Sequence, residues 1–180
     1  MKVAPYMVFL LSLAIGVRAE VSAPQVVVAA HPLAAEAGLA ILEQGGNAMD
    51  AAVAVQTVLA FVEPQESGIG GGGFLLYREA ATGEMSFHDG RETAPAAATA
   101  ERFLVAERWP LPFPLAVVSG RAVGVPGLVP MLQQAHEAHG RLPWGQLFEL
   151  AIDYARGGIP MPARLQQQLK RDPSLWLFAG

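Results

Sequence analysis

Residues 48–61 restrict the possible folds more than any other part of the sequence, because nearly every side chain in this stretch is apolar. A helix that is apolar on almost every face is stable only when other elements cover it on all sides. Asn47 and Asp50 have the spacing of a helix N-cap, and Pro64 ends the helical pattern. The sequence therefore predicts a buried helix inside a layered domain.

Short elements of both kinds surround this helix in the sequence. Residues 25–30 are an apolar, β-branched run without polar alternation, which favours a strand covered on both faces. His31-Pro32 opens a second helix, and Gly45-Gly46 ends it. Residues 74–78 and 84–89 are β-like on either side of a turn, so they predict a hairpin. The mixture of helices and strands indicates the α/β (α+β) class.

The remainder of the chain alternates loops with short elements. Residues 90–95 are predicted as a loop from their Gly, Thr and Pro, and Thr99 is expected to cap a short helix over residues 100–106. The three prolines within residues 109–114 favour extended backbone. Further predicted elements are extended pieces at residues 116–118 and 122–125 and helices at residues 128–139, 144–156 and 163–171.

Composition excludes several classes of function. The 180 residues carry 12 Lys and Arg against 16 Asp and Glu, without a basic patch that could follow a nucleic acid backbone. The chain has no cysteine, which rules out disulfides, a thiol nucleophile and the usual cysteine-containing zinc sites. The glycines at 70–73 lead into a strand and lack the Gly-Lys-Ser/Thr sequence of a phosphate loop, so we interpret them as a tight backbone approach between packed elements or to a ligand. We therefore expect no nucleic acid partner, no cofactor and no metal.

Residues 1–19 have the three parts of a secretory signal peptide. Lys2 provides the positive charge, residues 7–17 are apolar, and Ala19 is a small residue at the predicted cleavage site. A membrane anchor is the alternative, but a helix needs about 20 apolar residues to cross the hydrocarbon core. We therefore expect cleavage after Ala19, no stable membrane span, and a domain within residues 20–180. This arrangement predicts a periplasmic or secreted protein.

Most of the side chains that could carry chemistry also have a structural interpretation. His136 and His139 lie three residues apart on a predicted helix, where a solvated helix end is favoured over a pair of metal ligands. His88 ends a predicted strand, and we expect it to be satisfied or exposed. Glu63 and Glu66 share a predicted loop without a third group to complete an acid–base site, so both are expected to be structural.

Arg91 is the strongest candidate for a ligand contact. It stands between a strand end and a loop that contains proline, where a guanidinium offers two parallel donors to a carboxylate. The residues alone leave two interpretations open: a bound carboxylate, or an ion pair with a neighbouring Asp or Glu, which the pattern by itself favours. The residues alone therefore indicate an α/β domain in which Arg91 is the main candidate for binding a ligand.

Six motifs, spread from about Val26 to Arg164, carry a further inference. They are His31-Pro-Leu-Ala-Ala, Gly45-Gly-Asn-Ala-Met-Asp-Ala-Ala-Val-Ala54, Ser67-Gly-Ile-Gly-Gly-Gly-Gly-Phe74, Asp89-Gly-Arg-Glu-Thr-Ala-Pro95, Gly124-Val-Pro-Gly127 and Gly140-Arg-Leu-Pro-Trp144. In kind and order they resemble the N-terminal part of the γ-glutamyltranspeptidase precursor. The resemblance implies the N-terminal-nucleophile hydrolase fold, an αββα sandwich of two stacked sheets between helix layers, of which this chain would form the incomplete N-terminal portion.

The resemblance also implies acyl transfer from glutathione or a related γ-glutamyl compound. In the family, a threonine freed by self-cleavage of the precursor attacks the γ-glutamyl amide, and water, an amino acid or a dipeptide accepts the acyl group. The arginine that matches Arg91 binds the α-carboxylate of the glutamyl group. None of the threonines here resembles the nucleophile motif, so we expect no catalytic residue in this chain. We interpret it as a fragment that is inactive without the small subunit of the same precursor.

Two alternatives stay open. Cephalosporin acylases share these motifs and transfer a different acyl group. A non-catalytic exported binding module would keep the fold without the chemistry. A downstream reading frame that reaches a threonine-rich cleavage motif would favour the enzyme.

Overall fold

The structure, a computed structural model, describes residues 25–106 and 108–172. The signal peptide predicted for residues 1–19 lies outside the described residues. None of the helices in the described part combines the length and the apolar character that crossing a bilayer requires. Within these residues the secondary structure is mixed, with helices on both sides of a β-hairpin in the sequence.

Two helices separated by a tight turn begin the described chain: α1 (Pro32–Glu43) and α2 (Ala48–Val62). The predicted cap of α2 is confirmed as a capping box, in which Asn47 Oδ1 accepts from the backbone N–H of Asp50 at 3.1 Å and Asp50 Oδ2 accepts from that of Asn47 at 2.8 Å. Gly45 takes φ +90° in the turn, a backbone conformation that glycine adopts without strain. The loop between the helices is therefore specified locally by the sequence.

Helix α2 is the buried element that the sequence predicted. Ala48 is its only exposed residue, and its other positions are buried or half-buried. One core cluster joins α2 to the C-terminal helices, and a second joins it to α1. Their fully buried members are Ile41, Met49, Ala51, Val53, Ala54, Leu128, Met131, Leu132, Ala135 and Leu147 in the first cluster, and Ala34, Ala37, Val58 and Val62 in the second.

The predicted hairpin is confirmed as the antiparallel pair β1 (Phe74–Arg78) and β2 (Met85–Asp89). Its register places Leu76 opposite Phe87, and strand residues alternate between the two faces. On the inner face Leu75 and Tyr77 pack against the first core cluster. The outer face, which includes Phe87, is exposed and apolar.

Short elements complete the described chain. They are α3 (Pro64–Ser67), β3 (Leu104–Val105), β4 (Trp109–Pro110), α4 (Phe113–Val117), a 3₁₀ turn at Gly120–Ala122, α5 (Leu128–His139), a 3₁₀ turn at Trp144–Phe148, α6 (Glu149–Gly157) and α7 (Ala163–Arg171). The predicted helices at residues 128–139 and 163–171 are confirmed. The helix predicted at residues 144–156 is divided between the second 3₁₀ turn and α6.

Three predicted elements are wrong. Residues 25–30 form no strand, and Val28 is 89% exposed, because no described strand pairs with them. Residues 100–106 form turns and β3 instead of a helix, because Leu104 and Val105 pair with β4. Residues 116–118 are not extended, because α4 begins at Phe113 and includes Ala116 and Val117. Pro114 lies in the first turn of that helix, where a missing backbone N–H costs little.

Candidate functional site

Three glycine-containing loops converge around Arg91: residues 68–73, 90–95 and 124–127. Gly73 and Gly90 exchange backbone hydrogen bonds at 2.9 and 3.2 Å. The N–H of Gly127 donates to the carbonyl of Gly71 at 3.2 Å, and Val125 N–H donates to Thr93 O at 2.9 Å. The backbone of the loop that carries Arg91 is therefore held from both sides.

Glycine is required where these loops cross. A Cβ at Gly72 would lie 2.5 Å from the carbonyl oxygen of Gly90 and 2.6 Å from Glu92 Oε2. A Cβ at Gly90 would lie 2.6 Å from the Met131 Cβ. These distances are shorter than carbon contacts allow, so the glycine-rich sequence serves a close backbone approach, as predicted.

Hydrogen bonds fix the backbone of Arg91, whereas its guanidinium has only one weak contact, with Glu92. Its N–H donates to Asp89 Oδ1 at 2.9 Å, which fixes the start of the loop. The side chain is 72% exposed, and its Nε lies 3.8 Å from Glu92 Oε2. An exposed ion pair at this distance contributes little stability. The geometry is compatible with both interpretations of Arg91, the weak neighbour contact and the receipt of an external carboxylate.

Arg91 borders a hollow of about 610 Å³, within the range of roughly 300–1,000 Å³ that small-molecule sites occupy. We call it the Arg91 hollow. Its lining includes Gly70, Arg91, Glu92, Arg102, Arg121 and Val123. Arginine is the predominant charged residue in this wall, so the hollow is suited to an anionic ligand.

Asp50 and His136 form a buried polar cluster that joins α2 to α5. The sequence predicted only the capping role of Asp50. Asp50 is completely buried, and besides capping α2 it accepts the backbone N–H of Arg141 at 3.0 Å. His136 Nε2 lies 3.2 Å from Asp50 Oδ1 and 3.0 Å from the carbonyl oxygen of Leu142. The cap motif signalled one role of Asp50, but no local pattern signalled partners that follow it by about ninety residues.

The sequence predicts that His136 and His139 lie at a solvated helix end, and this prediction is wrong. The His136 side chain is only 12% exposed because of its contacts with α2. His139 Nε2 lies 3.0 Å from Ser86 Oγ, and its ring stacks on Tyr77 with centroids 4.3 Å apart. Packing against α2 shields the His136 ring, and packing against the hairpin half-buries the His139 ring. His88 was expected to be satisfied or exposed, but its Nε2 is buried without a hydrogen-bond partner.

Two ionisable groups beside this packing have shifted pKa values. Burial and the neighbouring Glu79 carboxylate raise the pKa of Tyr77 above its ordinary value. The backbone N–H of Ala81 holds the pKa of Glu79 below its usual range. Tyr77 Oη donates to Glu79 Oε2 at 3.3 Å, so the pair is a local hydrogen bond at the end of the hairpin.

Glu63 and Glu66 have the structural role that the sequence predicted. Arg164 donates from Nη2 to Glu66 at 2.6 Å and from Nη1 to Glu63 Oε2 at 3.4 Å. The contact ties α7 to α3. Within the described residues, no group of three or more His, Asp or Glu side chains is arranged to hold a metal ion.

Comparisons with known proteins agree with the resemblance. Residues 34–176 match the family profile described as gamma-glutamyltranspeptidase. The glutathione hydrolase proenzyme of Bacillus subtilis strain 168 is 43% identical over 143 residues, which are 79% of this chain and 24% of that protein. The chain thus spans about a quarter of the length of this curated relative.

Solved structures extend the agreement to the fold. Gamma-glutamyltranspeptidase from Pseudomonas nitroreducens aligns with a TM-score of 0.79 and 37% identity over 87% of this chain and 45% of the solved chain. The Helicobacter pylori enzyme aligns with a TM-score of 0.77 and 39% identity over 82% of this chain and 42% of the solved chain. The predicted N-terminal-nucleophile hydrolase fold class is confirmed for the portion described. On sequence and structure together, this chain belongs to the gamma-glutamyltranspeptidase family.

Proposed function

We propose that this chain supplies the N-terminal part of an enzyme that transfers or hydrolyses the γ-glutamyl group of glutathione and related compounds. The observation that carries the proposal is the weakly paired, exposed Arg91 guanidinium on a rigid loop beside the Arg91 hollow. The family match and the name of the Bacillus subtilis relative support the choice of substrate.

Arg91 binds the α-carboxylate of the glutamyl group in this proposal. Two parallel N–H donors match the two carboxylate oxygens, and this geometry positions the γ-amide for attack. The loop hydrogen bonds around Arg91 reduce the entropy lost when the substrate is bound. Arg91 is therefore a binding residue, and the reacting groups come from elsewhere in the protein.

The chemical step is assigned to a threonine in the small subunit of the same precursor. Its Oγ forms a bond to the γ-carbonyl carbon, the C–N bond breaks, and the leaving amine takes up the proton received by the threonine's own α-amine. Water, an amino acid or a dipeptide then accepts the γ-glutamyl group. Thr57 lies inside α2, where its nitrogen is part of a peptide bond, so it has no free α-amine to act as the base of such a nucleophile.

Export to the periplasm or the medium is the second part of the proposal. It is supported by the three-part pattern of residues 1–19, and N-terminal sequencing of the exported protein should begin at Glu20. A mature protein that still begins at Met1 would contradict it.

Arg91→Lys tests the assignment in protein expressed from the complete reading frame that contains this sequence. Lysine keeps the charge and loses the planar pair of donors, so we expect KM for γ-glutamyl donors to rise about tenfold or more. Processing of the precursor and thermal stability should stay close to wild type. Arg156→Lys, an exposed exchange on α6, is the matched control.

The ion-pair interpretation predicts the opposite pattern. If Arg91 only pairs with Glu92, the lysine variant loses some stability or maturation, and the molecules that mature keep a normal KM. An unchanged KM in purified, processed Arg91→Lys protein would exclude the carboxylate role. A donor series that includes a cephalosporin side chain distinguishes γ-glutamyl transfer from cephalosporin acylation.

A further inference from the structure

A serine and a histidine from different elements meet at the inner face of the hairpin. Ser86 lies on β2, His139 is the last residue of α5, and Ser86 Oγ lies 3.0 Å from His139 Nε2. The two residues are 53 positions apart in the sequence, and both are half-buried. The fold therefore brings a hydroxyl group and a base together at the edge of the core.

This pair borders a hollow of about 410 Å³, which we call the Ser86 hollow. Its volume lies within the range of roughly 300–1,000 Å³ that small-molecule sites occupy. The residues that line it differ from those that line the Arg91 hollow, so the two cavities are separate. The lining of the Ser86 hollow consists of Tyr77, Glu79, Glu84, Met85, Ser86 and His139.

His139 is held in the position that a general base requires. Its carbonyl oxygen accepts from Asn47 Nδ2 at 2.6 Å, and its ring stacks on Tyr77 with centroids 4.3 Å apart. In the tautomer that carries its hydrogen on Nδ1, the Nε2 atom accepts the hydroxyl hydrogen of Ser86. The pair therefore has the arrangement of a nucleophile and a base, with the base oriented by a third group.

Two features stabilise a positive charge on the His139 ring. His139 ends α5, and the C-terminal end of a helix dipole favours a cation. The face of the Tyr77 ring, on which His139 stacks, also attracts a cation. Both features favour transfer of a proton from Ser86 to His139 when the hydroxyl oxygen attacks a ligand.

The charges of the hollow select among ligands. Glu79 and Glu84 contribute two carboxylates to the lining, and neither Lys nor Arg lines it. An anion that enters the hollow is repelled by these carboxylates, whereas a neutral or cationic molecule is not. The hollow therefore favours uncharged or cationic ligands.

We propose that Ser86 is an activated serine, which takes an acyl group from small uncharged or cationic esters. His139 Nε2 receives the hydroxyl proton as Ser86 Oγ forms a bond to the carbonyl carbon of the ester. The bond between that carbon and the leaving oxygen breaks, and the leaving alcohol takes the proton from His139. The products are acyl-Ser86 and a free alcohol, so Ser86 is a modification site that does not depend on Arg91.

The test treats protein expressed from the complete reading frame with p-nitrophenyl acetate, a small uncharged ester. Peptide mass spectrometry measures the rate of acetylation at each serine separately. We expect Ser86 to be acetylated about tenfold or more faster than Ser119, whose Oγ donates to Ala116 O at 2.8 Å. Ser119 is therefore a control within the same molecule. The anionic ester mono-p-nitrophenyl succinate should acylate Ser86 several-fold more slowly than the acetate does.

Variants of His139 separate the base from the packing. His139→Gln keeps a polar contact with Ser86 but cannot act as the base, so acetylation of Ser86 should fall about tenfold. His139→Phe keeps the stacking on Tyr77 and should lower the rate equally, which provides a second variant if the first does not fold. Glu137→Gln, an exposed exchange on the same helix, is the matched control and should leave the rate unchanged. Thermal melts show which variants fold.

The proposal is rejected if folded wild-type protein acetylates Ser86 no faster than Ser119. It is also rejected if a folded His139 variant keeps the wild-type rate at Ser86. Equal rates for the acetate and the succinate would contradict the ligand class assigned from Glu79 and Glu84.

Discussion

The buried Asp50 carboxylate accepts hydrogen bonds from residues that lie far apart in the sequence. Its buried carboxylate accepts backbone N–H groups from Asn47 at 2.8 Å and Arg141 at 3.0 Å, and His136 lies 3.2 Å away. These partners belong to the start of α2, to α5 and to the loop that follows α5. One carboxylate therefore connects three parts of the core.

Asp50→Ala should destabilise the protein by about 3 kcal/mol or more, because it leaves several buried donors without an acceptor. Asp50→Asn keeps one acceptor oxygen and should cost less. The free energy of unfolding, from denaturant melts of protein expressed from the complete reading frame, measures the effect. Asp153→Ala, on the exposed side of α6, is the control and should change stability by less than about 0.5 kcal/mol. Equal free energies of unfolding for Asp50→Ala and Asp153→Ala would contradict the role of Asp50 in connecting parts of the core.

For individual residues, the sequence predicted contacts between side chains and backbone groups that lie close together along the chain. The Asn47–Asp50 cap was predictable from spacing, because both partners lie within one helical turn. The burial of His136 and His139 was not, because it depends on α5 packing against α2 and the hairpin. Arg91 was singled out from its loop context, but its part in a shared hollow with Arg121 required the folded chain.

At the scale of elements, local patterns predicted the longer helices and the hairpin but missed the short elements α3, α4 and β3. The hairpin needs only its own two strands and turn, so β1 and β2 were found from sequence. Residues 25–30 have a strand's composition, but a strand exists only when another pairs with it. Residues 100–106 have helical composition, yet pairing of β3 with β4 prevails.

The crossing of the glycine loops gives a prediction at this scale. Gly72→Ala places a Cβ 2.5 Å from Gly90 O, so the loop that carries Arg91 must shift. We expect about 1–3 kcal/mol lower stability and a higher KM for γ-glutamyl donors. Gly145→Ala, in the second 3₁₀ turn and outside the hollow, is the matched control, since a Cβ there meets no atom within 4 Å. If the crossing had no role, the two variants would have the same melting temperature and the same KM for γ-glutamyl donors.

At the scale of the whole molecule, the hairpin has an uncovered face. Phe74, Leu76, Met85 and Phe87 are exposed on one side of it, and the rings of Phe74 and Phe87 stack with centroids 5.8 Å apart. In a sandwich of two sheets, the second sheet covers such a face. The architecture of the family thus explains why a sequence with a well-formed helical core still exposes large apolar side chains.

Residues 20–180 expressed alone should therefore show no γ-glutamyl transfer, although they contain Arg91. Carboxylate binding positions a donor but does not lower the acyl-transfer barrier without a nucleophile, which the proposed mechanism assigns to the small subunit. Release of a chromogenic amine from a γ-glutamyl anilide measures the activity, with protein from the complete reading frame as the positive control. Adding the rest of the protein encoded by that reading frame, expressed separately, should restore turnover if the parts assemble through the exposed hairpin face. Turnover by residues 20–180 alone, above that of a mock preparation and abolished by Arg91→Ala, would place the catalytic machinery inside this chain and overturn the division of roles proposed above.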